Sequence, residues 1–412
     1  MFKVLSRIRF SLRTLLIVVL LIGALMTVKW RWEPWAKLAT IDFNASWPNK
    51  AEFDQAGSLY AARTGGTIAR YSSTGMRMNT IVDGIVEADA PATWPIYELL
   101  LSPDGRRLIF SSGRTFYLYD TVMGRQLAVL ATDEHRCISA ALSHDGKTAA
   151  VATAGRIELF ECESGKSLLT CPIECDLAWF TPDDECVNGI DWPGNLWQWD
   201  WRTKKAPVSN RRVGNASRTD LSPDSRWIVS ATYDYRPSAV NSYLTLLDAT
   251  SGLKVQSLTC SGASLPLTAF AGSILIVASG RGDISRIDLA KKTNEPIATL
   301  YGVRAIALRP DGQEYATSNT QVVIVSDVNG SNPLTLPDSG GVQNLHYSPD
   351  GNTLLLGSQH LTLYQRRRPN YAWSVYAMPE LWLSALLAIA LLVSIYRDYR
   401  PRPRAAVLTP GP

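Results

Sequence analysis

Histidine is scarce in this chain. Four occur in 412 residues, His135, His144, His346 and His360, and no two stand at the spacing of helical metal ligands. Neither a glycine-rich phosphate loop nor a nucleophile elbow is present. Charged residues make up only 19% of the chain and the formal net charge is +4, carried mostly by the ends. That balance excludes a nucleic-acid-binding stripe. Cysteine is limited to Cys137, Cys162, Cys171, Cys175, Cys186 and Cys260. An oxidising compartment would permit disulfides among them, with Cys137/Cys175 and Cys171/Cys175 as the nearest candidates, but a buried free thiol is the expectation for each. The sequence therefore assigns no catalytic, cofactor-binding or metal-ligating residue and implies no cofactor.

What the chain has in abundance is repetition. Ser102-Pro103-Asp104-Gly105 returns as Ser143-His144-Asp145-Gly146, Thr181-Pro182-Asp183-Asp184, Ser222-Pro223-Asp224-Ser225, Arg309-Pro310-Asp311-Gly312 and Ser348-Pro349-Asp350-Gly351. The period is roughly 40 residues, which is the length of one four-stranded propeller blade. In the copy from Tyr97 to Leu130, short apolar runs alternate with turn clusters: Leu99 to Leu101, Leu108 to Phe110, Phe116 to Tyr119 and Leu127 to Leu130. Proline presets φ, aspartate bonds its own backbone and glycine tolerates positive φ, so each cluster reverses the chain. The result is an antiparallel meander, and one such sheet needs neighbours to cover both faces. A degenerate first copy runs from Glu52 to Val82, with turns at Gly57, Gly66 and Gly75.

An aspartate closes the third strand at Asp120, Asp200, Asp248, Asp288 and Asp327, once as the pair Trp199-Asp200. This pattern resembles the WD40 and WD40-like propeller families over residues ~36 to ~366. The Ser-Pro-Asp-Gly turns are similar to those of membrane-anchored and periplasmic bacterial members. No Gly-His pair opens any repeat, which sets the chain apart from the cytosolic signalling propellers. The resemblance implies binding rather than catalysis. Eight-bladed quinoprotein dehydrogenases share the architecture, but their recurrent Trp-terminated motif is absent here.

The expected fold is all-β, an eight-bladed propeller of four-stranded antiparallel blades with one transmembrane helix at each terminus. Seven blades is the alternative, should the first copy pack outside the ring. The last copy runs out of strands after Leu363-Tyr364, and Ala36 to Phe43 resembles the missing fourth strand. Closure by both ends removes an open sheet edge.

Two apolar segments flank the repeats. Thr14 to Val28 follows Lys3, Arg7, Arg9 and Arg13, lacks a small-x-small cleavage site, and is followed by Trp30, Trp32 and Trp35. Pro379 to Tyr396 is uncharged apart from Glu380 and precedes Arg397, Arg400, Arg402 and Arg404. The expected organisation is a cytoplasmic tail over 1–13, a signal anchor over 14–30, the propeller over 31–368, a linker over 369–378, a second span over 379–396 and a basic cytoplasmic tail over 397–412. The positive-inside rule then puts both termini in the cytoplasm. The propeller would lie outside it, periplasmic at a bacterial inner membrane, with its Ser-Pro-Asp-Gly turns toward the lipid.

Deviations from the repeat length fall on the opposite, top face. They give the candidate partner-binding residues: Glu87, Asp89 and Trp94 after the first copy, His135 and Arg136 in the next connection, and Tyr233, Asp234, Tyr235 and Arg236 within the fifth copy. Loops on a rigid scaffold commonly carry function, and Tyr, Trp and Arg are enriched at hot spots. The repeated Asp104, Asp145, Asp183, Asp224, Asp311 and Asp350, like the strand-end aspartates, are expected to be structural. The expected function is a non-catalytic protein-interaction or assembly scaffold with protein and bilayer partners. A ligand- or glycan-binding sensor is the alternative, and a propeller enzyme ranks below both.

Overall fold

The turn Ser102-Pro103-Asp104-Gly105 shows how each sheet begins. The Ser102 hydroxyl donates to Asp104 Oδ1 at 2.6 Å and accepts the Arg107 amide at 2.9 Å. The Arg106 amide donates to the same carboxylate oxygen at 3.0 Å. Gly105 takes a φ of 68°, a conformation that costs glycine little because it has no Cβ. The strands on either side then pair antiparallel, Leu101 opposite Leu108. The hydroxyl–carboxylate bond recurs at Ser143–Asp145, Thr181–Asp183, Ser222–Asp224 and Ser348–Asp350.

The computed structural model describes residues 15–24, 34–42, 48–63, 66–83, 96–112, 115–131, 137–153, 155–191, 194–212, 218–234, 241–262, 265–337, 339–367 and 379–399. These form eight four-stranded antiparallel sheets, so the alternative of seven blades is excluded. Blade 1 is Pro48–Phe53, Leu59–Arg63, Ile68–Tyr71 and Arg77–Val82, and blade 2 is Ile96–Leu101, Arg107–Ser112, Thr115–Asp120 and Arg125–Ala131. Blades 3 to 7 follow in order, ending with Leu334–Leu336. The first copy is thus a full blade, and it starts at Pro48 rather than Glu52.

Burial is greatest in the second strands and least in the fourth. The second strands Thr148–Thr153, Glu314–Ser318 and Thr353–Gly357 are buried along their whole length, because neighbouring blades cover both faces. The fourth strand Thr293–Thr299 is mostly exposed, and Arg77–Val82 is exposed over its first half. Apolar clusters bridge consecutive blades. Tyr60, Ala62 and Ile68 of blade 1 pack with Leu99, Leu108 and Phe110 of blade 2. Val229 and Leu244 of blade 5 pack with Leu275 and Ile287 of blade 6. No blade buries its apolar faces alone, which is the condition for a repeat ring.

Blade 8 is Asn344–Tyr347, Thr353–Gly357, Leu361–Arg366 and, from the other end of the chain, Trp35–Ile41. The expected closure therefore occurs, over Trp35–Ile41 rather than Ala36 to Phe43. Glycine packing supports the assignment of this segment as a fourth strand. A Cβ built on Gly75 of blade 1 would meet Ala39 Cβ at 2.6 Å, and one built on Gly165 of blade 3 would meet the Cβ of Ala128 in the fourth strand of blade 2. Ala39 of blade 8 and Ala128 of blade 2 thus occupy the same place in their blades, each against the blade that follows. The ring ends where it begins: the Arg367 amide donates to the Pro34 carbonyl at 2.6 Å. The Arg366 amide donates to the Asn352 carbonyl, in the Ser-Pro-Asp-Gly turn of blade 8, at 2.7 Å. The strands bounding the ring thus end on the face that carries those turns.

Residues 37–366 form one compact unit, and the two terminal segments form another. Helix is present at both expected places, over residues 15–24 and Pro379–Tyr399. Among the described residues, however, no helix is long and apolar enough to cross a membrane. The two spans expected from the sequence are therefore not shown by the described helices. The described part of the first helix is residues 15–24. The second carries Glu380 at its start and Arg397 and Asp398 near its end, which confines its uncharged stretch to Leu381–Tyr396.

Candidate partner-binding surface

Glu87, Asp89, Trp94, His135, Arg136, Tyr235 and Arg236 lie outside the described residues. Tyr233 and Asp234 belong to a strand, not to the loop in which the sequence places them. Trp227–Asp234 and Asn241–Asp248 pair through Tyr233↔Ser242 and Asp234↔Asn241. The alternation of the fifth copy simply continues two residues further than the turn signal suggests.

The repeated aspartates are spent on the fold. Thr181 donates to Asp183 and holds its carboxyl below the usual range, helped by the Glu185 amide. At Asp104 partial burial opposes ionisation, but the Ser102 hydroxyl, the Arg106 amide and two arginine charges outweigh it and lower the pKa. Asp311 accepts from Arg309 Nη1 at 2.7 Å and from the Gln313 amide at 3.0 Å. The strand-end aspartates cap the following turn. Asp120 accepts the amides of Val122 and Met123 at 2.9 and 2.8 Å and the Arg107 guanidinium at 2.7 Å. Asp200, Asp248 and Asp288 accept the amides of Thr203, Ser251 and Lys291. Asp327 accepts from Ser331 Oγ and Asn332 Nδ2.

Polar side chains also tie blade to blade. Asp184 stands at the glycine position of its turn, with φ 57°. Its carboxylate accepts the His144 and Asp145 amides at 2.9 and 3.0 Å and lies 2.9 Å from His144 Nδ1. His144 is therefore a turn residue tied to the next blade. On the innermost strands, Glu98 of blade 2 accepts the Ala140 amide of blade 3 at 3.0 Å. Burial pushes the Glu98 carboxyl up to about 7, against the Ala140 amide and the charge of Lys50. Thr268 of blade 6 donates to Asp220 of blade 5. Between blades 7 and 8, buried Glu314 lies 2.6 Å from Arg366 Nη2 and 3.6 Å from Arg309 Nη1. Burial raises the pKa of nearby Tyr347 well above that of an ordinary phenol, and the charge of Glu314 adds to the effect.

Five cysteines, Cys162, Cys171, Cys175, Cys186 and Cys260, carry free thiols. Burial pushes Cys162 and Cys175 up to about 12 and Cys171 and Cys260 to about 11, far from the depressed range of reactive thiolates. The side chain of Cys137 lies outside the described set. Among the described residues, no three His, Cys, Asp or Glu side chains converge on a metal position.

Two surface features escape sequence reasoning. Tyr301, between blades 6 and 7, is 78% exposed. At the junction of blades 8 and 1, a cleft of about 240 Å³ is lined by Ile41, Asp42, Ala61, Arg63, Thr67, Ala69, Tyr71 and Arg77. His360 Nδ1 lies 3.2 Å from Asp42 Oδ1 at its edge. The only sequence signal for the cleft is a pair of alanines in ordinary strand positions.

Among solved structures, the chain is similar to the C-terminal WD40 domain of Sif2, with a TM-score of 0.61 and 16% identity over 81% of this chain and 98% of that one. It is also similar to the computationally designed Ika8 protein, with a TM-score of 0.60 and 14% identity over 80% and 99% of the two chains. No family model matches the sequence, and no curated protein does. At these identities the likeness is one of fold: the chain is built as a WD40-type β-propeller. Fold by itself does not specify activity.

Proposed function

We propose that this chain is a membrane-anchored WD40-type propeller, held outside the cytoplasm, that acts as a non-catalytic scaffold for protein partners. The observation that carries the scaffold reading is where the repeated carboxylates go. They are consumed by the turns that make the ring, which leaves a rigid disc with loops free to vary. Rigid scaffolds with variable loops serve recognition.

Anchoring is supported by the terminal helices. Leu383, Leu386, Ile389, Leu392 and Val393 are between 47% and 67% exposed on Pro379–Tyr399, and Leu15, Leu16, Val19, Leu20 and Ile22 are more than half exposed on residues 15–24. Such apolar exposure suits lipid better than water. The basic residues beyond each helix favour cytoplasmic ends. The ring's entry and exit at one point, through Pro34 and Arg367, suit a disc tethered by its turn-bearing face.

Protease treatment of intact and permeabilised cells tests the placement. The reading expects the ring to be cleaved from outside and the terminal tails only after permeabilisation; tails cleaved in intact cells contradict it. Affinity capture after crosslinking in the membrane tests the scaffold role. A specific protein partner is expected, and recovery of the chain with none contradicts it.

A further inference from the structure

Each blade presents the same cross-strand positions to its predecessor. In blade 2 these are Phe110↔Tyr117 and Leu108↔Tyr119. The Phe110 and Tyr117 rings stack with centroids 5.3 Å apart, and Tyr119 lies 5.4 Å from Phe110. In blade 1 the matching pairs are Ala61↔Ala69 and Leu59↔Tyr71. No other blade places two alanines there. The volume that two rings fill between blades 1 and 2 is the cleft between blades 8 and 1.

The chemistry of the cleft points to a ligand rather than to a packing defect. Its floor is apolar: Ile41, Ala61 and Ala69 are each under 8% exposed. Arg63 and Arg77 line it together with the Thr67 and Tyr71 side chains. Both guanidinium groups act on Tyr71: burial raises its pKa, and the charges of Arg77 and Arg63 pull it back. Among the described residues neither arginine has a carboxylate partner. Arg77 donates to Thr80 Oγ1, and the one acidic lining residue, Asp42, faces His360. The lining thus carries two positive charges against one negative. Water in such a site is displaced with gain by an apolar body that leaves the charged groups satisfied. The volume is below the roughly 300–1,000 Å³ of drug-sized sites, so the occupant is small.

We propose that the cleft between blades 8 and 1 binds a small carboxylate with a planar apolar body, an aromatic acid. The ring lies over Ala61 and Ala69, where Phe110 and Tyr117 lie in the next blade. The carboxylate meets the guanidinium groups of Arg63 and Arg77, whose planar forks match its geometry. The ligand packs the closing strand, through Ile41 and Asp42, against blade 1, and binding raises the melting temperature. The inference does not depend on where the protein resides or on its partners.

Calorimetric titration of the purified full-length chain with benzoate tests this, with benzyl alcohol and acetate as probes lacking the charge or the ring. Saturable benzoate binding is expected, with both other probes at least tenfold weaker. Arg63→Gln and Arg77→Gln should each weaken it about tenfold, the worth of one charge-assisted hydrogen bond. The double variant Ala61→Phe/Ala69→Tyr rebuilds the blade 2 pair in blade 1. It should abolish binding while melting at or above the parent temperature, which shows that it folds. N-acetylphenylalanine binding tighter than benzoate would assign the carboxylate to a peptide C terminus, and the reverse order to a free acid. No saturable heat with either acid overturns the proposal, as does undiminished binding by the filled variant.

Discussion

Between blades 1 and 2, Phe110 stacks on Tyr117 in a cluster that includes Tyr60, Ile68 and Leu108. Between blades 8 and 1, the same positions hold Ala61 and Ala69 beside an open cleft. The first boundary joins sheets made from consecutive chain, and the second joins the two ends of the chain. Closure therefore relies less on side-chain volume. It is held by the backbone pairing of Trp35–Ile41 with Leu361–Arg366, by an inner cluster that includes Ile41, Leu59, Leu361 and Leu363, and by polar bonds from blade 8 to blade 7. A boundary with little filling is a place where a ligand can add stability that the sequence leaves out.

Variants that make the two boundaries more alike or less alike test this contrast. Phe110→Ala copies the blade 1 hollow into blade 2. With Phe110 fully buried, the loss should be about 4 kcal/mol in denaturant unfolding, whereas filling blade 1 with Ala61→Phe/Ala69→Tyr should cost nothing or stabilise. Arg366→Leu removes the nearer guanidinium from Glu314, 2% exposed, and should cost roughly 3 kcal/mol. Gly75→Ala places a Cβ at a φ of 81° and 2.6 Å from Ala39. It should cost about 2 kcal/mol and loosen the closing strand first.

The smallest effect concerns pH. The Glu98 carboxyl is raised in the folded chain to about 7 from an ordinary value of 4.5. Its contribution is fully present below that ordinary value and is lost as pH rises through the folded value. Glu98→Gln should therefore flatten the stability profile between these limits and stabilise the protein at pH 8 by on the order of 1 kcal/mol. A profile unchanged by the variant would show that the inner-strand bond to Ala140 does not titrate.

The turns were legible because their chemistry is local. Ser102, Asp104 and Gly105 act within a few residues of one another, so their recurrence reveals blade count and register. The closing strand was legible because the last copy visibly lacks one. What joins blades was not legible. Asp184 meets His144 across 40 positions and Arg366 meets Glu314 across 52, and no local pattern links them. The cleft was hidden for a related reason: Ala61 and Ala69 are sound strand residues, and their smallness matters only beside Phe110 and Tyr117. Tyr233 and Asp234 were misplaced because the nearby Pro237 drew the loop boundary too early.

The central claim is that the segment before the first full copy completes the last blade. Hydrogen exchange of the backbone amides measures this directly. The account predicts that Trp35–Ile41 is protected together with Leu361–Arg366 and that both lose protection in one step in Gly75→Ala. Trp35–Ile41 exchanging at the rate of an unstructured chain while Leu361–Arg366 stays protected would contradict it.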